Sequence, residues 1–158
     1  MEGIWTTDEL IDSLRKTPVL LAGLLTGVDD ERAHARPAEG EWSTVEVIGH
    51  LIDAEERALA RISAVLQEEN PELPGYDQNG LVRERGYQQQ TLDVVVERLL
   101  ALRAERLEAL AALTEEQWLR TGVSAGKGVT PLTAITCHMC WHDTNHLAQI
   151  ANNLAAAR

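Results

Sequence analysis

The stretch Trp42-Ser43-Thr44-Val45-Glu46-Val47-Ile48-Gly49-His50-Leu51 opens a helix by local chemistry alone. The Ser43 hydroxyl is placed to accept a first-turn N–H, and Glu46 can reach back to the Ser43 N–H. Trp42 and Val47 form the apolar staple that sets the approach of the chain. Beyond this start Ile48, Leu51, Ile52, Leu59, Ile62 and Leu66 recur on one stripe, which predicts a helix over 44–69. Asn70-Pro71-Glu72-Leu73-Pro74-Gly75 then ends it.

The same start signal occurs on both sides. Thr6 with Glu9, stapled by Trp5 and Leu10, predicts a helix over 7–27 with Leu10, Leu14, Leu21, Leu24 and Val28 on its apolar side and a kink at Pro18. A third helix over 88–113 carries Leu92, Val96, Leu99, Leu100, Leu107 and Leu110. Thr114 with Gln117, stapled by Leu113 and Trp118, opens only a short extra turn or two. Thr130-Pro131 marks the fourth start, because proline's fixed φ suits the first helical position. Leu132, Ile135, Met139, Ile150 and Leu154 follow it over 131–156. Residues 122–128 read as a loop, and no stretch alternates with period two, so an all-α four-helix chain without a sheet is expected. The connections 28–43 and 70–87 are longer than tight helix hairpins and are expected to carry function over one end of the bundle.

The totals narrow the function classes. A chain of 158 residues suits a single domain, 1–158, and 44% apolar with 25% charged residues is the balance of a folded globular chain rather than a disordered one. The formal net charge of −11, with no cluster of Lys and Arg, excludes a phosphate-neutralising surface and hence nucleic acid as a partner. It also disfavours anionic lipid, and no apolar run approaches the roughly 20 residues that span a bilayer. Met1-Glu2-Gly3-Ile4-Trp5 lacks the regions of a secretory signal. A cytoplasmic protein acting on a small molecule is expected.

His138, His142 and His146 lie at successive spacings of four on one predicted helix. Two such histidines reach one metal ion, but three stack over roughly 12 Å at 1.5 Å per residue, so one ion takes only two. His50, on the flank of its helix's apolar stripe, is the best remaining imidazole for the same ion. Spacing alone leaves a second account open, in which His142 and His146 are solvated or capped helix histidines.

Glu41-Trp42-Ser43-Thr44-Val45-Glu46-Val47-Ile48-Gly49-His50-Leu51 and His142-Asp143-Thr144-Asn145-His146-Leu147-Ala148-Gln149-Ile150 resemble the two signature stretches of the DinB/YfiT-like superfamily. Arg36-Pro37-Ala38-Glu39-Gly40 resembles that family's approach to its Trp-Ser helix start. The resemblance implies an up-down-down-up four-helix bundle in which His50, His142 and His146 hold one divalent ion, Zn or Ni first, with Fe, Mn or Cu as further candidates. It also implies a homodimer and, through relatives associated with mycothiol and bacillithiol, a low-molecular-weight thiol as cosubstrate.

Three imidazoles leave a coordination position open, the arrangement of a catalytic site. Zinc lowers the pKa of a coordinated water to about 7 and stabilises a thiolate equally well. A thiol-dependent S-transferase acting on small electrophiles, a metal-dependent hydrolase and a non-catalytic metal-binding stress-response protein are the three functions to separate.

Other residues are candidates for support. Asp53 either orients a ligand imidazole or faces Arg57 as a surface carboxylate. Glu55 falls near the middle of an apolar stripe and requires a partner, with His138, a Trp N–H or an Arg available. His138 is a candidate base one turn beyond the ligands, and Asp143 and Gln149 are candidates to hydrogen-bond substrate or ligands. Cys137 and Cys140 sit mid-helix, where a disulfide between them would be strained, and read as buried or half-buried free thiols.

Overall fold

The structure, a computed structural model, describes residues 5–157. Met1–Ile4, which carry most of the reading against a secretory signal, lie outside the described residues, as does Arg158. Four long helices form the frame: α1 (Thr7–Leu24), α3 (Thr44–Gln67), α5 (Leu92–Ala111) and α7 (Leu132–Ala156). Between them lie α2 (Asp30–His34), α4 (Gln78–Arg85), a 3-10 turn at Tyr87–Gln89, and α6 (Glu115–Trp118). No helix among the described residues is long and apolar enough to cross a membrane.

The three capping boxes form as expected. Thr6, Ser43 and Thr114 each accept the N–H of the residue three positions on, and Glu9, Glu46 and Gln117 return the bond to the cap N–H. Thr114 opens only the four residues of α6. The third long helix starts later than its stripe suggested, because Gln88 lies in the 3-10 turn and Thr91 is the cap of α5. Pro131 is the N-cap of α7 rather than its first helical residue.

Cross-helix pairs fix the topology. Thr17 meets Asp143 and Cys140 approaches Leu10, so α1 and α7 run parallel. Ser43 meets Gln88 and Glu55 meets Arg103, so α3 and α5 also run parallel. Trp42 meets Asn153 and His50 meets His142, so α3 and α7 are antiparallel. This is the up-down-down-up bundle. Because α3 and α5 point the same way, the connection 68–91 must carry the chain back along the length of the bundle.

The expectation of no sheet is corrected. β1 (Glu72–Leu73) pairs in parallel with β2 (Thr121–Ser124), and β2 pairs antiparallel with β3 (Gly128–Pro131). The stretch read as a loop over 122–128 is largely a hairpin, turned through Gly126 and Gly128 at φ of 75° and 73°. Strands of two to four residues are too short to show a period of two. The small sheet covers the end of the bundle where α3 and α5 finish and ties the start of the crossover to the approach of α7.

The core has three levels. One apolar cluster includes Leu21, Ile48, Leu51, Ile52, Val95, Leu99 and Ile150, and a second includes Ile11, Leu14, Ile62, Val65, Leu110, Trp118 and Leu132. Between them lies a charged layer. Arg103 Nη2 stands 2.6 Å from Glu55 Oε1 and 2.7 Å from Asp143 Oδ2, and Arg106 Nε lies 3.1 Å from Glu55 Oε2. Thr17 donates to Asp143 at 2.8 Å. All four charged residues are at most 2% exposed, so an arginine is the partner that Glu55 required.

Arg103 has a further role set by sequence. Pro18 lacks an N–H, which leaves the carbonyl four residues earlier, Leu14 O, without its helical donor. Arg103 Nη1 donates to that carbonyl at 2.8 Å.

Candidate metal centre

α3 and α7 build the site. The first turns of α3 are buried on all sides, since Thr44 through Glu55 are covered, and His50 is 0% exposed. Helical spacing places His142 and His146 one turn apart on α7, facing it. His50 Nε2 and His142 Nε2 are 2.9 Å apart, and one candidate ligand nitrogen from each of His50, His142 and His146 lies within 4.8 Å of the others. The ring centroids stand 4.4–5.0 Å apart. Among the described residues this is the one group of three or more His, Cys, Asp or Glu side chains that meets the geometry of a metal site.

Burial keeps the three imidazoles neutral. It lowers the pKa of His50 to about 3 and of His142 to about 4, helped by the neighbouring imidazoles, and it lowers His146 as well. A neutral imidazole offers a lone pair, which is what a metal requires of it. His146 Nδ1 bonds Gln149 Oε1 at 2.9 Å, an acceptor, so the proton sits on Nδ1 and Nε2 carries the lone pair. His50 Nδ1 and His142 Nδ1 are buried without a hydrogen-bond partner. This donor set fits a divalent transition metal.

The walls come from outside the two helices. The Trp42 ring lies 5.0 Å from His50 between centroids, and Tyr76, on the crossover, lies nearly parallel to His50 at 6.5 Å and 19°. Arg57 lies over the Tyr76 ring at 4.0 Å. Beside the triad opens a cavity of about 460 Å³ between α3 and α7, bounded by Gly75, Tyr76 and the β2–β3 hairpin, with His142 in its lining. Of the two long connections, 70–87 supplies Gly75, Tyr76 and Gln78 to this lining, whereas residues 28–43 contribute none.

The remaining sequence candidates separate. Gln149 supports a ligand candidate, as described. Asp143 turns into the charged layer, where Arg103 and Thr17 hold it, and does not face the triad. Asp53 takes neither of its two expected roles: it is 1% exposed, accepts the Tyr87 hydroxyl at 2.6 Å and lies 3.9 Å from Arg85 Nε. Burial raises its pKa, and burial together with Asp53 raises that of Tyr87. Tyr87 fits there because Gly49 has no side chain, as a Cβ at that position would stand 2.2 Å from the ring. His138 is outside the triad, stacked on Trp141 at 5.4 Å and exposed at the cavity. Cys137 and Cys140 are half-buried free thiols, and burial raises the Cys140 pKa.

The sequence pattern of the DinB superfamily matches residues 13–150. The chain belongs to this superfamily. A relative from Geobacillus thermodenitrificans is 26% identical over 143 residues, covering 90% of this chain and 80% of its own. Another, from Geobacillus kaustophilus, is 27% identical and covers 91% and 82%. Both carry names that conjecture a metal-dependent hydrolase. The solved structure of YfiT from Bacillus subtilis, described with the same conjecture and an unusual four-helix bundle topology, aligns with a TM-score of 0.86 at 22% identity over 97% of this chain and 89% of its own. A mycothiol-dependent maleylpyruvate isomerase aligns with a TM-score of 0.71 at 16% identity, over 95% of this DinB chain and 61% of the isomerase.

Proposed function

We propose that this protein is a metal-dependent enzyme in which His50, His142 and His146 hold one divalent ion, Zn or Ni, and that its nucleophile is a small thiol transferred to an electrophile. The observation that carries the metal reading is the convergence of three neutral imidazole nitrogens within 4.8 Å at a cavity large enough for a small molecule. A divalent ion in this setting supplies Lewis acidity that brings a coordinated water or thiol toward its deprotonated form at neutral pH.

The chain's own residues favour thiol over water. Among the described residues the cavity lining holds no carboxylate, so His138 rather than an Asp or Glu is the base there to take a proton from water. A thiol starts from a pKa of about 8.5 and needs less help. His50 and His142 enter the reaction neutral, Gln149 fixes the His146 tautomer, and Trp42 and Tyr76 shield the His50 edge from water. The names of the two Geobacillus relatives support a second reading, hydrolysis, with water in place of the thiol. The isomerase neighbour supports the thiol.

Protein purified without a polyhistidine tag and analysed for metal tests the site: about one ion per chain is expected, and full stoichiometry retained in His142→Ala sinks it. Loaded protein is then offered bacillithiol, mycothiol, glutathione or no thiol, against monochlorobimane and against ester and amide substrates. Thiol-dependent conjugation lost in His50→Ala supports transfer, and thiol-independent cleavage supports hydrolysis. Bound metal without turnover in any combination leaves a non-catalytic metal-binding protein. The homodimer belongs to the same proposal, and a monomer by light scattering at micromolar concentration removes it.

A further inference from the structure

The cavity beside the triad has a charge opposite to that of the chain. The sequence holds 25 Asp and Glu against 14 Lys and Arg, yet the cavity lining includes Arg57, Arg61 and Lys127 and, among the described residues, no Asp or Glu. Nor, among the described residues, does any carboxylate lie within ion-pair distance of these three cations, although Arg36, Arg85, Arg98, Arg103 and Arg106 all have one. Glu72 lines a separate depression on the outer side of Arg57 and Arg61.

A structural role accounts for part of this. Arg57 and Arg61 each direct one Nη2 at Pro74 O, and Arg57 stacks on Tyr76, so both hold the crossover against α3. One carbonyl satisfies only one N–H of each, and a guanidinium carries five. Arg57 Nε is buried with no hydrogen-bond partner. Lys127 comes from the tip of the β2–β3 hairpin, on the opposite wall, and is exposed. The positive charge is felt within the cavity: burial lowers the pKa of Arg61, with Arg57 adding to it, and burial, Lys127 and Arg61 lower that of His138. Cations from two walls, Arg57 and Arg61 partly buried on one and Lys127 exposed on the other, with no carboxylate in the lining among the described residues, draw an anion into the space that ends on His142.

We propose that the cavity is a subsite for a small organic acid, whose anionic group is held by Arg61 and Lys127, with Arg57 behind them, while its reactive atom faces His142. This rests on the triad as the reacting end, and the anion can be carried by the thiol or by its acceptor.

The test uses two thiols of one shape, 4-mercaptobenzoate and 4-mercaptobenzyl alcohol, titrated calorimetrically into zinc-loaded protein. At low salt the acid is expected to bind about tenfold more tightly than the alcohol, the size of one or two charge-assisted hydrogen bonds. That preference should shrink to about threefold or less in Arg61→Gln and in Lys127→Gln, return in Arg61→Lys, and fall with added salt. Lys127 is exposed on a hairpin tip, so its variant reads the charge without threatening the fold. Equal affinity for the two probes in the unmodified protein, or an unchanged preference in both charge-removing variants, overturns the subsite. His50→Ala separates this from the metal reading. If that reading holds, both probes weaken together while the acid preference persists; if both bind as before, the metal reading fails and the subsite stands.

Discussion

The charged layer of Glu55, Arg103, Arg106 and Asp143, drawn from α3, α5 and α7, and the triad of His50, His142 and His146, drawn from α3 and α7, are buried or half-buried neighbours, yet they are put together differently. In the layer two carboxylates meet two guanidiniums at 2.6–3.1 Å, and Thr17 and the Leu14 carbonyl take up further positions. The layer turns its charges on one another, although Glu55 Oε2, Asp143 Oδ1 and Nε and Nη2 of Arg106 make no hydrogen bond. In the triad the nitrogens point at a common place, and two Nδ1 atoms have no partner. Buried charge that is paired with opposite charge supports the fold, whereas neutral imidazoles gathered without a counter-charge are available to a ligand.

The largest effect that separates the two is expected at Arg103. Arg103→Met leaves Glu55 with Arg106 alone, takes from Asp143 its cation and reopens the Leu14 carbonyl, and urea unfolding should show a loss of about 3–5 kcal/mol. Loss below about 1 kcal/mol would place the layer among pairs that contribute nothing measurable. Gly49→Ala comes next: its methyl group meets the Tyr87 ring, and repacking should lower stability by about 1–3 kcal/mol.

The triad should respond in the opposite sense. His50→Leu in the metal-free protein removes the unpartnered buried Nδ1 along with one hydrogen bond, that of Nε2 with His142 at 2.9 Å, so stability is expected within about 1 kcal/mol of the parent while bound metal is lost. A cost comparable to that at Arg103 would make the triad a structural cluster. Acid sharpens the contrast further. His50 and His142 have folded pKa values of about 3 and about 4, below the ordinary 6.5, so the unfolded chain binds more protons between these limits. Their contribution is intact above pH 6.5 and is lost as pH falls toward 4. Melting curves of metal-free protein and of His50→Leu/His142→Leu should therefore diverge, the parent falling more steeply below pH 6.5. The smallest effect is expected from Cys137→Ala, within about 1 kcal/mol and with metal stoichiometry unchanged, because this half-buried thiol takes part in neither group.

How much of this was legible follows from where each signal lies. Capping boxes are local, and Thr6, Ser43 and Thr114 each opened a helix where the sequence indicated. His142 and His146 share a helix, so their common face could be computed; bringing His50 to them needed the fold, which the family resemblance supplied. Arg103 and Arg106 were missed although their spacing was visible. They continue the stripe of Leu92, Val95 and Leu99 toward Leu110, and two arginines on a core stripe, together with the misplaced Glu55, call for one another. Tyr76 and Lys127 gave no such signal, because a crossover and a hairpin tip reach the cavity only through pairings between distant residues.

The carbonyl opened by Pro18 also bears on how the helices are set along their axes. A leucine-faced helix such as α1 can in principle slide one turn against its neighbours and find similar apolar contacts. Such a slide would carry Leu14 O away from Arg103 and Thr17 away from Asp143, and would set against Arg103 a carbonyl already occupied within its own helix. The notch left by proline thus acts as a registration mark, admitting one axial setting of α1 that greasy packing alone would not choose.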